Sequence, residues 1–220
     1  MPKETFHNLS LEKRKAFITA ALEEFAHHNF DTASITQIVR KLRIAKGSVY
    51  QYFEDKLDLW LHLKQYCEQI KIGYIQAIER ADYPDFWHFY RAQYAHGIGF
   101  DLEHPLCSLF LYRVGYQENS PSVQNHLNTW KNQAYTYFTQ WVEAEKQNGS
   151  FDTTLSTEII VHYLLTMSLS ITDLLTRKYG VNFEKNISEG RALYGQNAEE
   201  VMSAVDEMII LMKRSLQKQS

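Results

Sequence analysis

SITQIVRKLRIAKGSVYQYFEDK, residues 34–56, holds two short segments of helical apolar spacing separated by a brief break. Ile35, Ile38, Val39 and Leu42 share one face of the first, and Ser34 with Gln37 three positions on predicts a capping box at its start. Arg43 to Ala45 form the break, and Val49 and Phe53 mark the buried side of the second segment. Asp55 then predicts the N-cap of a longer helix. Two short helices across a tight turn make a helix-turn-helix, whose second helix enters the major groove of duplex DNA. Lys46, Ser48, Tyr50, Gln51 and Tyr52 crowd ammonium, hydroxyl and amide groups onto that second helix, and such groups suit phosphate oxygens and base edges.

The chain of 220 residues has a net charge of −3, which by itself argues against a polyanionic partner. The sign is unevenly spread, however. Between Ser34 and Lys56 the positives Arg40, Lys41, Arg43, Lys46 and Lys56 outnumber Glu54 and Asp55, and a phosphate backbone meets that local stripe rather than the overall charge. Taken singly, Lys46, Gln51 and Lys56 fit an ordinary solvated face, and Tyr50 fits a partly buried one; the joined pattern is what points to DNA. Cys67 and Cys107 lie far apart in sequence and outside any metal spacing, so free buried thiols are expected, with no metal and no cofactor. Without a leader-like amino terminus or an apolar run of bilayer length, the chain reads as soluble and cytoplasmic, with no membrane partner.

Pro2, Pro84, Pro105 and Pro121 interrupt no periodic segment and no alternating β-branched runs occur, so the fold is expected to be all-α, with about nine helices. A first helix is predicted from near Ser10 to His28, with Phe17, Ile18, Ala21, Leu22 and Phe25 as its apolar stripe. The helix opened by Asp55 is predicted to reach about Arg80. Pro84, Pro105 and Ser120-Pro121 are read as the starts of the next three, the third ending at Asn148-Gly149, where a left-handed residue is expected. An eighth helix is expected from about Ser156 to Tyr179, ended by Gly180. A polar stretch from Val181 to Gln196 follows, and Asn197 with Glu200 predicts the start of the ninth helix.

Ser34 to Trp60, with the capped helix, the turn, Lys-Gly-Ser-Val-Tyr-Gln-Tyr-Phe and the trailing Asp-Lys-Leu, resembles the TetR family of bacterial repressors. The resemblance implies an N-terminal three-helix DNA-binding module, residues 1–56, and a larger helical ligand-binding and dimerisation domain, residues 57–220. It implies that Lys46, Gly47, Ser48 and Tyr50 approach base edges and that Gln51 and Tyr52 hold phosphates. Lys56 then clamps the backbone, and the segment Ser34, Thr36 and Gln37 presents its first amides to a phosphate. Relatives often carry glycine at the position of Arg43 and alanine at that of Val39. Arg43 is accordingly expected in a left-handed conformation.

Such a helix-turn-helix usually works as a two-fold dimer on a palindromic operator. The eighth and ninth predicted helices carry more apolar surface than one layer covers, so they are expected to pair with their symmetry mates; the other reading is one wide internal core. Aromatic density between Trp87 and Trp141 suggests an effector pocket for a bulky, mainly apolar small molecule, with Trp87, Tyr90, Tyr94, Phe110, Arg113, Tyr116, Trp130, Tyr137 and Asp173 as candidate lining. For any one of these residues core packing is the simpler role. Nucleophile elbow, phosphate loop and chelating histidine spacing are absent from the sequence, so an enzyme is not expected. The functional expectation is a ligand-released repressor. The alternative is an architectural or protein-controlled DNA-binding regulator of the same fold.

Overall fold

Ser10 caps the first long helix as its sequence suggests, its hydroxyl accepting the Lys13 amide at 3.4 Å. A computed structural model describes residues 2–216, with Trp130 as backbone alone, and contains helices and no strands among the described residues. The N-terminal part comprises α1 (Glu4–His7), α2 (Leu11–His27), α3 (Ile35–Leu42) and α4 (Lys46–Tyr52). Helix α1 was not legible as a separate element. It places Phe6 with ring centroids 5.6 Å from Phe17 and 5.0 Å from Phe53, so a short amphipathic turn seals the small core formed by α2 and α4. Ile18, read as part of the α2 stripe, is only half-buried.

The turn between α3 and α4 closes as a Schellman motif. Arg43 has φ 55° and ψ 40°, its amide donates to the Arg40 carbonyl at 3.3 Å, and the Ile44 amide donates to the Val39 carbonyl at 3.1 Å. The expected capping box at Ser34 is absent, because the Ser34 amide donates at 2.8 Å to the Glu24 carboxylate on α2 rather than to Gln37. A tertiary brace replaces the local one.

Helix α5 (Lys56–Ile75) opens with Asp55 accepting the Asp58 amide at 2.8 Å. It stops short of Arg80, which occupies a 3₁₀ turn (Arg80–Asp82) and binds the buried Glu145 carboxylate at 2.7 and 3.3 Å. Helix α6 (Phe86–Glu103) is capped by Asp85, which accepts the His88 amide at 2.9 Å, so Pro84 lies one step outside the helix rather than in its first turn. Pro105 does occupy the first turn of α7 (Pro105–Tyr112), and α7 runs on into a π-helical turn, Arg113–Gln117. Ser120 caps a 3₁₀ turn (Pro121–Val123) that leads into α8 (Gln124–Gln147), and Gly149 follows with φ 79°.

The predicted helix from Ser156 to Tyr179 is two, α9 (Thr157–Leu169) and α10 (Ile171–Tyr179), bent by 44° at Ser170. The Ser168 and Ser170 hydroxyls turn back onto the Leu164 and Met167 carbonyls, both at 2.9 Å, and such bonds bend helices. Gly180 ends α10 with φ 67°. The stretch read as irregular contains α11 (Phe183–Ser188), whose Asn182 cap accepts the Lys185 amide at 2.9 Å, before α12 (Ala198–Leu216) closes the chain's described part. No single described helix is long and apolar enough to cross a membrane; the bent pair α9–α10 is, by length and composition, but it buries Ile160, Val161, Leu164, Ile171 and Leu175 inside the body.

Trp60 on α5 joins the two regions, packing edge-on to Phe30 after α2 (6.1 Å) and to Phe110 on α7 (6.0 Å). Cys67 and Cys107 are both buried and free; their thiols meet across α5 and α7, and burial pushes the Cys67 thiol up, away from reactivity. Replacing Arg43 with glycine removes left-handed strain and is expected to raise stability by about 0.5–1 kcal/mol in urea unfolding, with no change of slope.

Candidate nucleic-acid interface

Val49 and Phe53 are buried, which fixes the orientation of α4 and turns Lys46, Gly47, Tyr50 and Gln51 outward. Ser48 and Tyr52 are half-buried at the margins of that face. The Tyr52 ring stands edge-on to Phe17 at 5.7 Å, so part of this residue packs the module and only its edge is presented. Thr36 and Gln37 are exposed on the first turn of α3, with Ser34 half-buried before them. A strongly cationic rim follows: Arg40, Arg43 and Lys46 are exposed and make no ion pair among the described residues, while Lys41 is bound by Glu23.

Helix α4 has seven residues, too few to hold itself, and its last turn is held from outside. The Lys3 ammonium binds the Tyr50 carbonyl at 3.0 Å and the Glu54 carboxylate at 2.9 Å. The Thr5 hydroxyl donates to the Gln51 carbonyl, and the Lys3 amide donates to the Tyr52 carbonyl at 2.8 Å. Three carbonyls that an isolated helix would leave to water are thus satisfied by the N-terminal segment. Nothing in the pattern around Lys3 announces this, because Lys-Glu-Thr carries no helix-stop signal of its own.

Lys56 is a strut in this arrangement. Its ammonium donates to the Asp31 and Ala33 carbonyls at 3.3 and 3.0 Å and lies 4.7 Å over the Phe30 ring. It therefore ties the start of α5 to the loop that feeds α3. One of its three donors remains outside these bonds.

The same loop is bound from the other side by the π turn. The Arg113 guanidinium donates to the Ala26 carbonyl at 2.6 Å and to the Asn29 side-chain oxygen at 2.9 Å. The Phe30 amide donates to the Glu118 carboxylate at 2.8 Å, and the Ser120 hydroxyl donates to Asp31 at 2.8 Å. Arg113 thus serves the junction between the regions rather than a cavity. The other residues read as pocket lining are likewise dispersed. Trp87 and Phe110 are core, Tyr137 lies 40% exposed on α8, and Asp173 is exposed in an ion pair with Arg177. The side chain of Trp130 lies outside the described residues. Tyr90 and Tyr94 do come together, with hydroxyls 3.3 Å apart and Tyr90 also 2.6 Å from the Ser168 hydroxyl; Tyr116 lies within electrostatic reach of Tyr94.

An all-helical chain with this helix-turn-helix at one end has the architecture found in helix-turn-helix transcriptional regulators. Residues 17–63 match the family model of the bacterial regulatory proteins, tetR family. The HTH-type transcriptional regulator HbdR of Aromatoleum sp. (strain CIB) is 35% identical over 74 residues, 33% of this chain and 32% of its own length, so the match spans about a third of that relative. A TetR family transcriptional regulator from Chloroflexus aurantiacus J-10-fl is similar over 100% of both chains, at 29% identity and a TM-score of 0.79. NalD, the secondary repressor of the MexAB-OprM multidrug efflux pump in Pseudomonas aeruginosa, shares the fold at 15% identity and a TM-score of 0.65, over 95% of this chain and 98% of its own. Residues 17–63 thus match the DNA-binding segment of the bacterial regulatory proteins, tetR family, and over its whole length the chain is similar to a TetR family transcriptional regulator.

The Glu24 brace tests the local geometry. Glu24→Ala leaves the Ser34 amide without its charged acceptor and is expected to cost about 1.5–3 kcal/mol in chemical unfolding, with Glu24→Gln costing less.

Proposed function

We propose that the chain is a repressor that binds a palindromic duplex operator as a homodimer and is released by a small molecule lodged in its C-terminal body. Residues 1–56 act as the reading head and 57–220 as the effector and dimer domain, in the cytoplasm. The observation that carries this reading is the outward face of α4, where Lys46, Gly47, Tyr50 and Gln51 are exposed above a buried Val49 and Phe53. Lys46, Ser48 and Tyr50 read base edges, while Gln51 and the edge of Tyr52 hold phosphates. The amides of Ile35 and Thr36, flanked by the Ser34, Thr36 and Gln37 side chains, meet a second phosphate, and the spare donor of Lys56 adds a third contact.

Dimerisation supplies the second recognition helix. Ile159 and Leu169 on α9 and Ile210 and Leu211 on α12 are 49–61% exposed, and a two-fold partner would cover them. A double substitution, Ile210→Glu with Leu211→Glu, is expected to yield monomers in sedimentation and to weaken operator binding at least tenfold.

Release works through the junction. An effector that favours one placement of the π turn shifts Arg113 and Glu118, and with them the loop at residues 26–31 that positions α3 and α4. Each tenfold loss of operator affinity requires about 1.4 kcal/mol of preference for the released state. Arg113→Ala is expected to leave effector affinity within severalfold of wild type while lowering the effector's ability to dissociate the operator complex.

A gel shift on the chain's own upstream region, with and without candidate effectors, tests the whole reading. Lys46→Ala with Gln51→Ala is expected to weaken binding at least tenfold and to reduce the salt slope by about one unit for the lost lysine. Absence of any shift at low salt on palindromic DNA would reject the regulator reading.

A further inference from the structure

The segment before α2 grips three consecutive carbonyls of α4. The Lys3 ammonium holds that of Tyr50 at 3.0 Å, the Thr5 hydroxyl that of Gln51, and the Lys3 amide that of Tyr52 at 2.8 Å. The same three residues carry side chains assigned above to base edges and phosphates: Tyr50 and Gln51 are exposed, and Tyr52 presents one edge. Backbone grip and reading side chains thus coincide in one turn. The strap precedes the segment that matches the family model, residues 17–63.

Phe6 fastens the strap independently of these polar groups. Its buried ring lies 5.0 Å from Phe53, 5.6 Å from Phe17 and from His62, and 5.9 Å from Tyr52. Lys3 and Thr5 lie toward solvent instead: Thr5 is exposed, and the Lys3 side chain, paired with Glu54 at 2.9 Å, is 41% exposed. Polar bonds so placed contribute little to global stability. What they control is local, namely whether the last turn of a seven-residue helix is closed or frayed.

A frayed last turn affects the two kinds of DNA binding unequally. Charge-driven association with any duplex depends on how many cations come near phosphates, and tolerates their movement. Base discrimination depends on hydrogen bonds of fixed geometry in the major groove, and a side chain on a fraying turn holds no such geometry.

We propose that Lys3 and Thr5 are specificity-determining positioning residues: without touching DNA, they hold the backbone of Tyr50, Gln51 and Tyr52 so that the operator is preferred over other sequences. The inference rests on the operator-binding reading above and deepens it, adding two residues that lie outside the helix-turn-helix and act through it.

The test uses the full chain and two probes: a duplex that the wild-type protein enriches from a random pool, and a scrambled duplex of the same length and composition. Affinity for each is measured by fluorescence anisotropy over a range of salt. The pair Lys3→Met with Thr5→Val keeps the stems and removes the donors. It is expected to lower the preference for the enriched duplex at least tenfold while affinity for the scrambled one stays within threefold. Its melting temperature is expected to stay within about 3 °C of wild type. Lys3→Arg with Thr5→Ser, which keeps both donors, is expected to restore the preference to within threefold. A parallel loss on both duplexes marks a merely structural role, and a salt slope lowered by about one unit marks Lys3 as a direct phosphate contact; either overturns the proposal. So does an unchanged preference, or a conservative pair that fails to restore it, and in all these cases the operator-binding reading stands. If the wild-type chain enriches no duplex, both readings fall.

Discussion

The recognition helix is held at both ends by other parts of the chain, and every functional statement about this protein depends on that. Seven residues cannot nucleate and sustain a helix in water, so α4 owes its existence to the Val49 and Phe53 anchors, the Schellman turn before it and the Lys3 and Thr5 caps after it. The arrangement frees the outward face from any structural duty. Lys46 and Gln51 make no side-chain bond within the protein among the described residues, so both are available to a partner.

The second dependence is the set of hydrogen bonds between the π turn and the loop after α2. Arg113, Glu118 and Ser120 each reach back to residues 26–31, and Lys56 holds the same loop from α5. Charged partners at a half-buried junction make strong, directional bonds, so the loop and the π turn are fastened to each other.

The N-terminal module was legible because its signals are local. Ser10 and Asp55 cap their helices as the sequence suggests, and a non-glycine residue at a position suited to glycine, Arg43, adopts the left-handed conformation that the family comparison implies. What escaped was tertiary. Ser34 and Gln37 form the pattern of a capping box, but a carboxylate from α2 competes for the same amide and wins. Ser168 and Ser170 divide a continuous apolar helix by bonding their own backbone, a choice that apolar periodicity does not encode. The aromatic residues between Trp87 and Trp141 look alike in sequence, yet Phe110 fills the core whereas Tyr116 is exposed.

Asp101 has a mechanical consequence. Its carboxylate, wholly buried, draws three consecutive amides onto α6 and so fixes the strip carrying Tyr194 to that helix. Tyr116 belongs to a π-helical turn, a looser spiral than the α-helix it extends. The strip after α11 is therefore fastened to α6 through one carboxylate, whereas the π turn is fastened to the loop after α2 through Arg113 and Glu118.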